Sequence, residues 1–355
     1  MPVSSVADVI EKRRQRVENM CAKIRGVTNV AWEVSGIRSA NFSYCAVQKA
    51  GCTMWIRLFK FFEGQDRSGN NPMTLTKYRV HYEGGEYNKQ LDIRGQDSDF
   101  FWRSLRATTV RDPYTRLWSA YIDKFILPDF WVTKGKHIIA LVRPSPDPKS
   151  LECGHDVTFP EFIEYILKVG HQFAFVNQDK HWLPASDICD PCYFKPDIIG
   201  KQETFLVDLK YTLDQIGLGT WMKQIQSVDP THFEIHEEIN YNFKIVNGRG
   251  ACLNKVELTK RLWTAFVLNG YIPVFEEYPA FLMQEDEINE EAFEEIVMDI
   301  RSKYNVTNAE KKAIRQQAVK SAFKKLAPET MESLKKFYQL DFELFDYDPD
   351  PLYLK

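Results

Sequence analysis

The stretch that most constrains the fold is "YCAVQKAGCTMWIRLFKFF" at residues 44–62. Its apolar run is interrupted by "QKAGCT" at 48–53, and apolar residues then resume with helical spacing. This order predicts a strand over 42–47, a glycine-containing turn over 48–53 and a helix over 54–62. Backbone N–H groups at the start of a helix that follows such a turn bind phosphate or sulfate groups. The stretch therefore predicts an anion site.

Two further strands are predicted, "KYRVHY" at 77–82 and "LRATTV" at 105–110, the second leading into a helix. Strands that alternate with helices indicate a parallel sheet covered by helices. Ligands of such sheets bind at the carboxyl ends of the strands. We therefore expect Lys49, His81 and Arg111 to converge at that edge.

The rest of the chain predicts additions to this core. Residues 126–157 look irregular and 158–169 look helical, and helical patterns dominate the C-terminal part. The fold class expected is α/β, with a P-loop-like central parallel sheet flanked by helices. We divide the chain into an N-terminal helical extension over 1–40, an α/β core over 41–280 and a helical region over 281–355 that packs on the core.

The composition of the chain bears on whether it binds nucleic acid and on whether it crosses a membrane. The formal net charge is −3 and charged residues make up 27% of the chain, so no broad basic field predicts nucleic-acid binding. No apolar run reaches the roughly 18 residues of a membrane span, and residues 1–20 lack the apolar core of a signal peptide. We expect either a soluble protein or the luminal part of a longer one.

Seven cysteines are too few for a disulfide scaffold in a chain of 355 residues. "CDPC" at 189–192 has the spacing of a metal-ligand pair, but no second Cys or His pair stands at a suitable distance. A local or long-range disulfide is favoured over zinc, provided that the compartment is oxidising. The sequon at Asn305 would accept a glycan in an exported protein.

Two common nucleotide-binding loops are missing from the sequence, and a second motif suggests a second anionic group on the ligand. Neither the Gly-x-x-x-x-Gly-Lys-Ser/Thr loop nor the Gly-x-Gly-x-x-Gly loop occurs in the chain. In "VRDPYTRLWSAYIDKF" at 110–125, Arg111 ends a strand and Ser119 stands two helical turns later, so the pair can hold one anionic group. Asp112 is expected to cap the helix, and Arg116 to pair on its surface.

Four stretches of the chain resemble the motifs of one protein family and occur in the same order as in that family. The chain is similar to the Golgi carbohydrate sulfotransferases, in the group that includes the chondroitin and dermatan 4-O-sulfotransferases and the enzyme that makes the sulfoglucuronyl HNK-1 epitope. The family has Pro where this chain has Gln48, and Asn where it has Met54. The matching stretches are Gln48-Lys49-Ala50-Gly51-Cys52-Thr53-Met54-Trp55, "VRDPYTRLWSAYIDKF", "HWLP" at 181–184 with "CDPC" and "IGKQET" at 199–204, and "DFELFDY" at 341–347.

The resemblance implies that the donor is 3'-phosphoadenosine 5'-phosphosulfate (PAPS), and it assigns residues to that donor. Lys49 would stabilise the leaving 5'-phosphate oxygen, and Arg111 with Ser119 would hold the 3'-phosphate. Cys52 would be a packing residue or a disulfide partner, and no metal is expected. The residues expected to bind the donor are Lys49, Ala50, Gly51, Cys52, Thr53, Met54, Arg111 and Ser119.

The acceptor hydroxyl needs a base that works near neutral pH, and histidine is the natural choice. His81 is favoured, because the resemblance places a catalytic histidine between the two donor motifs. His181 is the alternative, although its neighbours Trp182 and Pro184 suggest packing as readily as catalysis. A carboxylate such as Glu203 is the third possibility.

The function expected is PAPS-dependent O-sulfation of a glycan, of the chondroitin or dermatan type or another that contains N-acetylgalactosamine or uronic acid. The alternatives are a catalytically silent glycan- or nucleotide-binding relative and, less favoured, a nucleotide kinase. The partners expected are a glycan or proteoglycan and no nucleic acid. The resemblance implies a type II membrane protein of the Golgi lumen whose anchor is absent from this chain.

Overall fold

A computed structural model describes residues 5–24, 34–63, 71–82, 90–170, 178–283, 288–304 and 306–355. The predicted glycan acceptor Asn305 and parts of the predicted loop over 63–76 lie outside the described residues. No helix among the described residues is both long enough and apolar enough to cross a membrane.

A four-stranded sheet lies at the centre, with the strands in the order β1-β2-β3-β4. β1 pairs antiparallel with β2, whereas β2, β3 and β4 are parallel, with Cys45 opposite Thr108 and Val110 opposite Lys201. The mixed α/β class is thus confirmed, and the P-loop-like detail stays a prediction. The strands are β1 Val34–Ile37, β2 Phe42–Cys45, β3 Leu105–Val110 and β4 Ile198–Lys201.

Helices surround the sheet. They are α1 Val6–Cys21, α2 Cys52–Phe62, α3 Lys77–Tyr82, α4 Ser98–Arg103, α5 Pro113–Tyr121, α6 Lys136–Val142, α7 Pro148–Cys153, α8 Phe159–Val169, α9 Ala185–Cys189, α10 Pro191–Phe194, α11 Phe205–Gln215, α12 Met222–Ile225, α13 Pro230–Val246, α14 Lys255–Leu268, α15 Glu290–Lys303, α16 Asn308–Phe323, α17 Pro328–Phe337 and α18 Gln339–Phe345. Two π-helical turns, Ile122–Ile126 and Trp131–Gly135, follow α5.

β2 and α2 form the strand and helix that the opening stretch predicts. All four residues of β2 are buried, as expected for a strand that is covered on both faces. Tyr44 stacks on Trp55 with ring centroids 4.6 Å apart, and Phe42 stacks on Phe59 at 6.1 Å. These contacts fix the direction in which α2 leaves the sheet.

The predicted strand over 77–82 is wrong, because this segment is the helix α3. Its period-two pattern of Tyr78, Val80 and Tyr82 also suits one short helix, in which Tyr78 and Tyr82 stand one turn apart and stack at 5.2 Å. The Glu237 carboxylate accepts the backbone N–H of Lys77 at the helix start.

The prediction of irregular structure over 126–157 is also wrong. Helices α6 and α7 lie in this region, after the second π-helical turn. Pro144 and Pro146 stand between the two helices, but Pro148 is the first residue of α7, where proline is tolerated. Asp147 caps α7 by accepting the backbone N–H of Ser150 at 3.0 Å.

The C-terminal helices pack on α5 and α8 in one apolar cluster. In it, Tyr114 of α5 contacts Phe323 and Phe342, with centroids 5.2 and 5.4 Å apart. The boundaries predicted at residues 40 and 280 stay predictions. The structure adds that β1, inside the predicted N-terminal extension, belongs to the central sheet.

Three disulfides tie distant segments together: Cys21–Cys192, Cys45–Cys189 and Cys153–Cys252. The two cysteines of "CDPC" therefore bond to different partners, so the long-range alternative is confirmed. Cys52 is the free cysteine. Disulfides of this kind are typical of proteins that fold in an oxidising compartment.

Candidate active site

The loop between β2 and α2 has an unusual backbone. Lys49 and Gly51 have φ values of 64° and 83°, in the left-handed region that favours glycine. A Cβ on Gly51 would lie 2.3 Å from the ring of Phe205, so only glycine fits there. The loop thereby turns the chain sharply from the end of β2 into the start of α2.

The predicted donor-binding residues divide into two groups within this loop. Ala50 is buried and its N–H donates to the Val47 carbonyl at 3.2 Å, and the Met54 N–H donates to the Gly51 carbonyl at 3.1 Å. Cys52 and Thr53 are half-buried and belong to the first turn of α2, where backbone N–H groups lack intrahelical partners. The backbone N–H groups of Cys52 and Thr53 are therefore the best placed hydrogen-bond donors for a bound anion.

Two arginines of the second motif hold this loop. Arg116 is buried and donates to the carbonyls of Gln48 at 2.8 Å, Leu183 at 2.6 Å and Lys180 at 2.9 Å. Its predicted place on the helix surface is therefore wrong, although its role is structural. Arg111 donates to the Lys49 carbonyl at 3.1 Å, which confirms that the ends of β2 and β3 meet.

The Lys49 ammonium points to Asp123 in the π-helical turn, with Nζ 2.9 Å from Oδ2. The same carboxylate lies 3.1 Å from Nζ of Lys77 and 3.1 Å from Nζ of Lys124. Asp129 and Glu238 complete the charge balance, since Asp129 pairs with Lys124 at 2.5 Å and Glu238 pairs with Lys77 at 2.8 Å. We call these three lysines and three carboxylates the lysine cluster.

Burial and charge oppose each other in the lysine cluster. Burial disfavours the charge of Asp123, but the three ammonium groups outweigh it and hold the pKa of the carboxyl well below its usual value. Burial likewise disfavours the charge of Lys77, yet Asp123 and Glu238 raise the pKa of Lys77 well above its usual value. Asp123 and Lys77 are therefore charged at neutral pH. The charge of Asp123 fixes the Lys49 ammonium at the mouth of the loop.

His81, the favoured base, lies beside the loop. Its Nε2 is 3.3 Å from the Thr53 hydroxyl. Because 77–82 is helical, the side chain comes from α3 and not from a strand end, which corrects the predicted location. His81 is exposed, yet partial desolvation by neighbouring atoms, followed by the positive charges of Lys77 and Lys124, lowers the pKa of its imidazole. The imidazole is thus neutral at physiological pH and able to accept a proton.

His181 faces the same cluster. Its Nδ1 lies 2.6 Å from the Asp179 carboxylate, and its side chain is only 17% exposed. Burial and the charge of Lys124 lower the pKa of His181 to about 4, although Asp179 opposes this. The negative charge of Asp123 acts on both histidines and raises the pKa of each, against these larger effects. The third candidate, Glu203, accepts instead from the Asp112 backbone N–H at 3.1 Å and the Tyr347 hydroxyl at 3.0 Å.

A second cationic position lies along α5. Arg111 Nε donates to the Thr115 hydroxyl at 3.3 Å, and Ser119 stands one turn further on the same helix face. Asp112 accepts the Thr115 backbone N–H at 2.8 Å, as predicted for the cap. The exposed Arg315 of α16, which packs on α5, lies close enough to lower the pKa of Arg111, after the larger effect of burial.

Sequence reasoning missed Asp123, Lys124 and Lys77 as site residues. The first two stand inside the quoted second motif, so a charged pair late in that helix was a usable signal. Lys77 carried no such signal, because its segment was interpreted as a strand.

Comparison with known proteins identifies the family. The family model described as "Sulfotransferase family" matches residues 37–247 and 282–348. The chain belongs to the sulfotransferase family. These matched residues include both predicted donor motifs and the closing 341–347 stretch, and the predicted family is confirmed. No solved structure matches the chain.

Curated relatives of this sulfotransferase-family chain are carbohydrate sulfotransferases. Human carbohydrate sulfotransferase 9 is 36% identical over 226 residues, which cover 60% of this chain and 49% of the relative. Human carbohydrate sulfotransferase 8 is 31% identical over 217 residues, covering 58% and 49%. Carbohydrate sulfotransferase 11 of Danio rerio is 32% identical over 184 residues, covering 50% of each. The chain thus spans about half the length of the curated relatives it matches.

Proposed function

We propose that this sulfotransferase-family protein transfers a sulfuryl group from PAPS to a hydroxyl group of a glycan. The observation that carries the proposal is the convergence of Lys49, the first turn of α2 and His81. The Lys49 ammonium and the Thr53 hydroxyl stand at the strand-to-helix loop, and the His81 Nε2 is 3.3 Å from that hydroxyl. In this proposal a cation, hydrogen-bond donors and a neutral base would act at one position.

The loop would bind the 5'-phosphosulfate. The backbone N–H groups of Cys52 and Thr53, with the Thr53 hydroxyl, would donate to phosphate oxygens at the helix start. Lys49 would neutralise the charge that grows on the leaving 5'-phosphate oxygen. Asp123 keeps the ammonium directed at the loop, and the donor's negative charges would compete with Asp123 for it.

His81 would accept the acceptor's proton as the acceptor oxygen forms its bond to sulfur. The bond from sulfur to the 5'-phosphate oxygen breaks in the same transfer, and its electron pair stays on the phosphate. The low pKa of His81 belongs to the donor-free protein, and a polyanionic donor beside the imidazole would raise it. The proton acceptor thus becomes stronger when the donor is bound. His181 is the alternative base.

Arg111 and Ser119 would hold the 3'-phosphate, which distinguishes PAPS from adenosine phosphates that lack it. An Arg guanidinium offers two parallel donors to a phosphate. Burial lowers the pKa of Arg111, and the negative charges of Glu203 and Asp112 oppose this shift. A bound phosphate would add negative charge beside the guanidinium and would stabilise its charged form in the same way.

The acceptor and the location extend the same proposal. The relatives are named carbohydrate sulfotransferases, which supports a glycan acceptor. We propose a glycan or proteoglycan of the chondroitin or dermatan type, or another that contains N-acetylgalactosamine or uronic acid. Three disulfides support a compartment outside the cytosol, for which we propose the Golgi lumen.

The test is transfer of radiolabelled sulfate from PAPS to unsulfated chondroitin and dermatan, and to neutral oligosaccharides ending in N-acetylgalactosamine. Wild type is compared with Lys49→Ala and with Lys303→Ala, a control at an exposed lysine that pairs with Asp299. We expect transfer by wild type and by the control, and a loss of at least about a hundredfold for Lys49→Ala. Donor binding without transfer to any of these acceptors would favour a catalytically silent relative.

A further inference from the structure

Three tyrosine side chains lie together beside the candidate base. Tyr78 and Tyr82 of α3 stack with ring centroids 5.2 Å apart. Tyr241 of α13 lies 6.0 Å from Tyr82 and 6.5 Å from Tyr78. We call Tyr78, Tyr82 and Tyr241 the tyrosine platform. Tyr78 and Tyr82 belong to the same short helix as His81, so the platform stands on the element that carries the candidate base.

The platform combines fixed geometry with exposure. The Tyr82 hydroxyl lies 3.2 Å from the Tyr241 hydroxyl, which donates to the Asp129 carboxylate at 3.0 Å. Tyr241 is buried, whereas the Tyr82 side chain is 58% exposed. A large aromatic side chain that is held at its hydroxyl and by a stacked neighbour, yet stays open to solvent, is suited to contact a ligand.

The platform is continuous with the lysine cluster. The Lys77 ammonium lies 4.6 Å from the centroid of the Tyr241 ring and pairs with the carboxylate that holds Lys49. Asp129, which accepts from Tyr241, also pairs with Lys124. A ligand on the platform would therefore extend directly into the site where the sulfuryl group is transferred.

A cation stands at the margin of the platform. The Lys244 ammonium lies 4.9 Å from the centroid of the Tyr78 ring. Its side chain is exposed, and within the described part of the chain no carboxylate pairs with it. Lys244 is thus available to an anionic group of a ligand that covers the tyrosines.

We propose that the tyrosine platform binds a pyranose ring of the acceptor and that Lys244 binds the carboxylate of an adjoining uronic acid. This proposal rests on the proposed function and assigns residues of this chain to the recognition of an acidic acceptor. Aromatic ring faces carry negative partial charge and attract the C–H groups on the less polar face of a sugar. Tyrosine supplies this contact at a low cost in conformational entropy.

The experiment is calorimetric titration of the full chain, saturated with adenosine 3',5'-bisphosphate, with an unsulfated chondroitin hexasaccharide and with the same hexasaccharide after reduction of its carboxyl groups. The variants are Tyr82→Ala, Tyr82→Phe as the matched control that keeps the ring, and Lys244→Gln. Titration of each variant with the bisphosphate alone reports whether the donor site is folded.

We expect Tyr82→Ala to weaken hexasaccharide binding at least about tenfold, and Tyr82→Phe to stay within about threefold of wild type. Lys244→Gln should weaken binding of the acidic hexasaccharide about fivefold and leave binding of the carboxyl-reduced one unchanged. If Tyr82→Ala lost bisphosphate binding, the proposal would be tested by the affinities of Lys244→Gln for the acidic and the carboxyl-reduced hexasaccharide.

Three results would overturn the proposal: wild-type affinity in Tyr82→Ala, equal affinity of wild type for both hexasaccharides, or no binding of the acidic hexasaccharide to wild type. In each case retained bisphosphate binding would leave the proposed function standing. Failure of wild type to bind the bisphosphate would instead overturn the proposed function, and the platform assignment with it.

Discussion

The Lys49 ammonium lies 2.9 Å from the Asp123 carboxylate, and this ion pair joins the two motifs that are proposed to bind the donor. Lys49 belongs to the loop after β2, and Asp123 belongs to the π-helical turn after α5. π-helical turns are frequent at functional sites, since they redirect side chains within a helix. Here the turn presents Asp123 to three lysines at once, so the position of the Lys49 ammonium depends on a residue about seventy positions away.

Replacement of Asp123 should be strongly destabilising. Asp123→Asn removes the one charge that Lys49, Lys77 and Lys124 share. Glu238 and Asp129 still pair with Lys77 and Lys124, but the cluster keeps one ammonium group, that of Lys49, in excess beside a buried amide. We expect a loss of about 3 kcal/mol in the free energy of unfolding, measured by urea denaturation. The control Asp299→Asn, at an exposed pair with Lys303, should cost less than about 0.5 kcal/mol. Equal losses in the two variants would contradict the role given to Asp123.

The two candidate histidines should differ in their effect on transfer. His81 lies beside Thr53 of the donor loop, whereas His181 is held by Asp179. We expect His81→Asn to lower kcat for sulfate transfer by about 10²- to 10⁴-fold, and His181→Asn to lower it less than about tenfold. The reverse order would make His181 the base, and small effects in both variants would point to a carboxylate.

Stability should fall in mild acid because of His181. Its pKa of about 4 in the folded protein lies below the value of about 6.5 in the unfolded chain. Between these values the unfolded chain binds more protons, so stability decreases as the pH drops through this window. At about pH 5 this group costs about 2 kcal/mol relative to neutral pH. Urea denaturation of His181→Gln should show a correspondingly smaller drop, and an unchanged drop would be evidence against this assignment.

The cysteine arrangement predicts a thiol count. Three disulfides account for six cysteines and leave Cys52 free. Alkylation of the unfolded, unreduced protein, followed by mass spectrometry, should therefore label Cys52 alone, and Cys52→Ser should remove the label. Labelling at Cys189 or Cys192 would contradict the pairing and the oxidising compartment inferred from it.

Much of the core could be predicted because local patterns and tertiary structure agree there. The strand, the turn and the helix around Lys49 each follow from residues that are adjacent in sequence, and Pro113 marks the start of α5 after β3. Arg111 could be placed near Lys49 because parallel strands end at one edge, and the 3.1 Å contact with the Lys49 carbonyl agrees with this.

The remainder depended on contacts that no local pattern encodes. α3 is short, and its alternating tyrosines fit a strand as well as a helix, so only its packing on α13 decides between them. The buried position of Arg116 results from three carbonyl groups of two other loops. The lysine cluster likewise assembles from the loop after β2, α3, α13 and the first π-helical turn with the residues that follow it. Taken singly, these charged residues resemble solvated surface residues.

The most direct test of the account is calorimetric binding of adenosine 3',5'-bisphosphate, with AMP as the nucleotide that lacks the 3'-phosphate. Wild type is compared with Arg111→Ala and with Arg103→Ala, a control at the opposite end of β3. We expect wild type and Arg103→Ala to bind the bisphosphate much more tightly than AMP, and Arg111→Ala to lose this preference by about 1.5–3 kcal/mol, or roughly 10- to 150-fold in Kd. Equal binding of the two nucleotides by wild type, or no binding of either, would contradict this expectation.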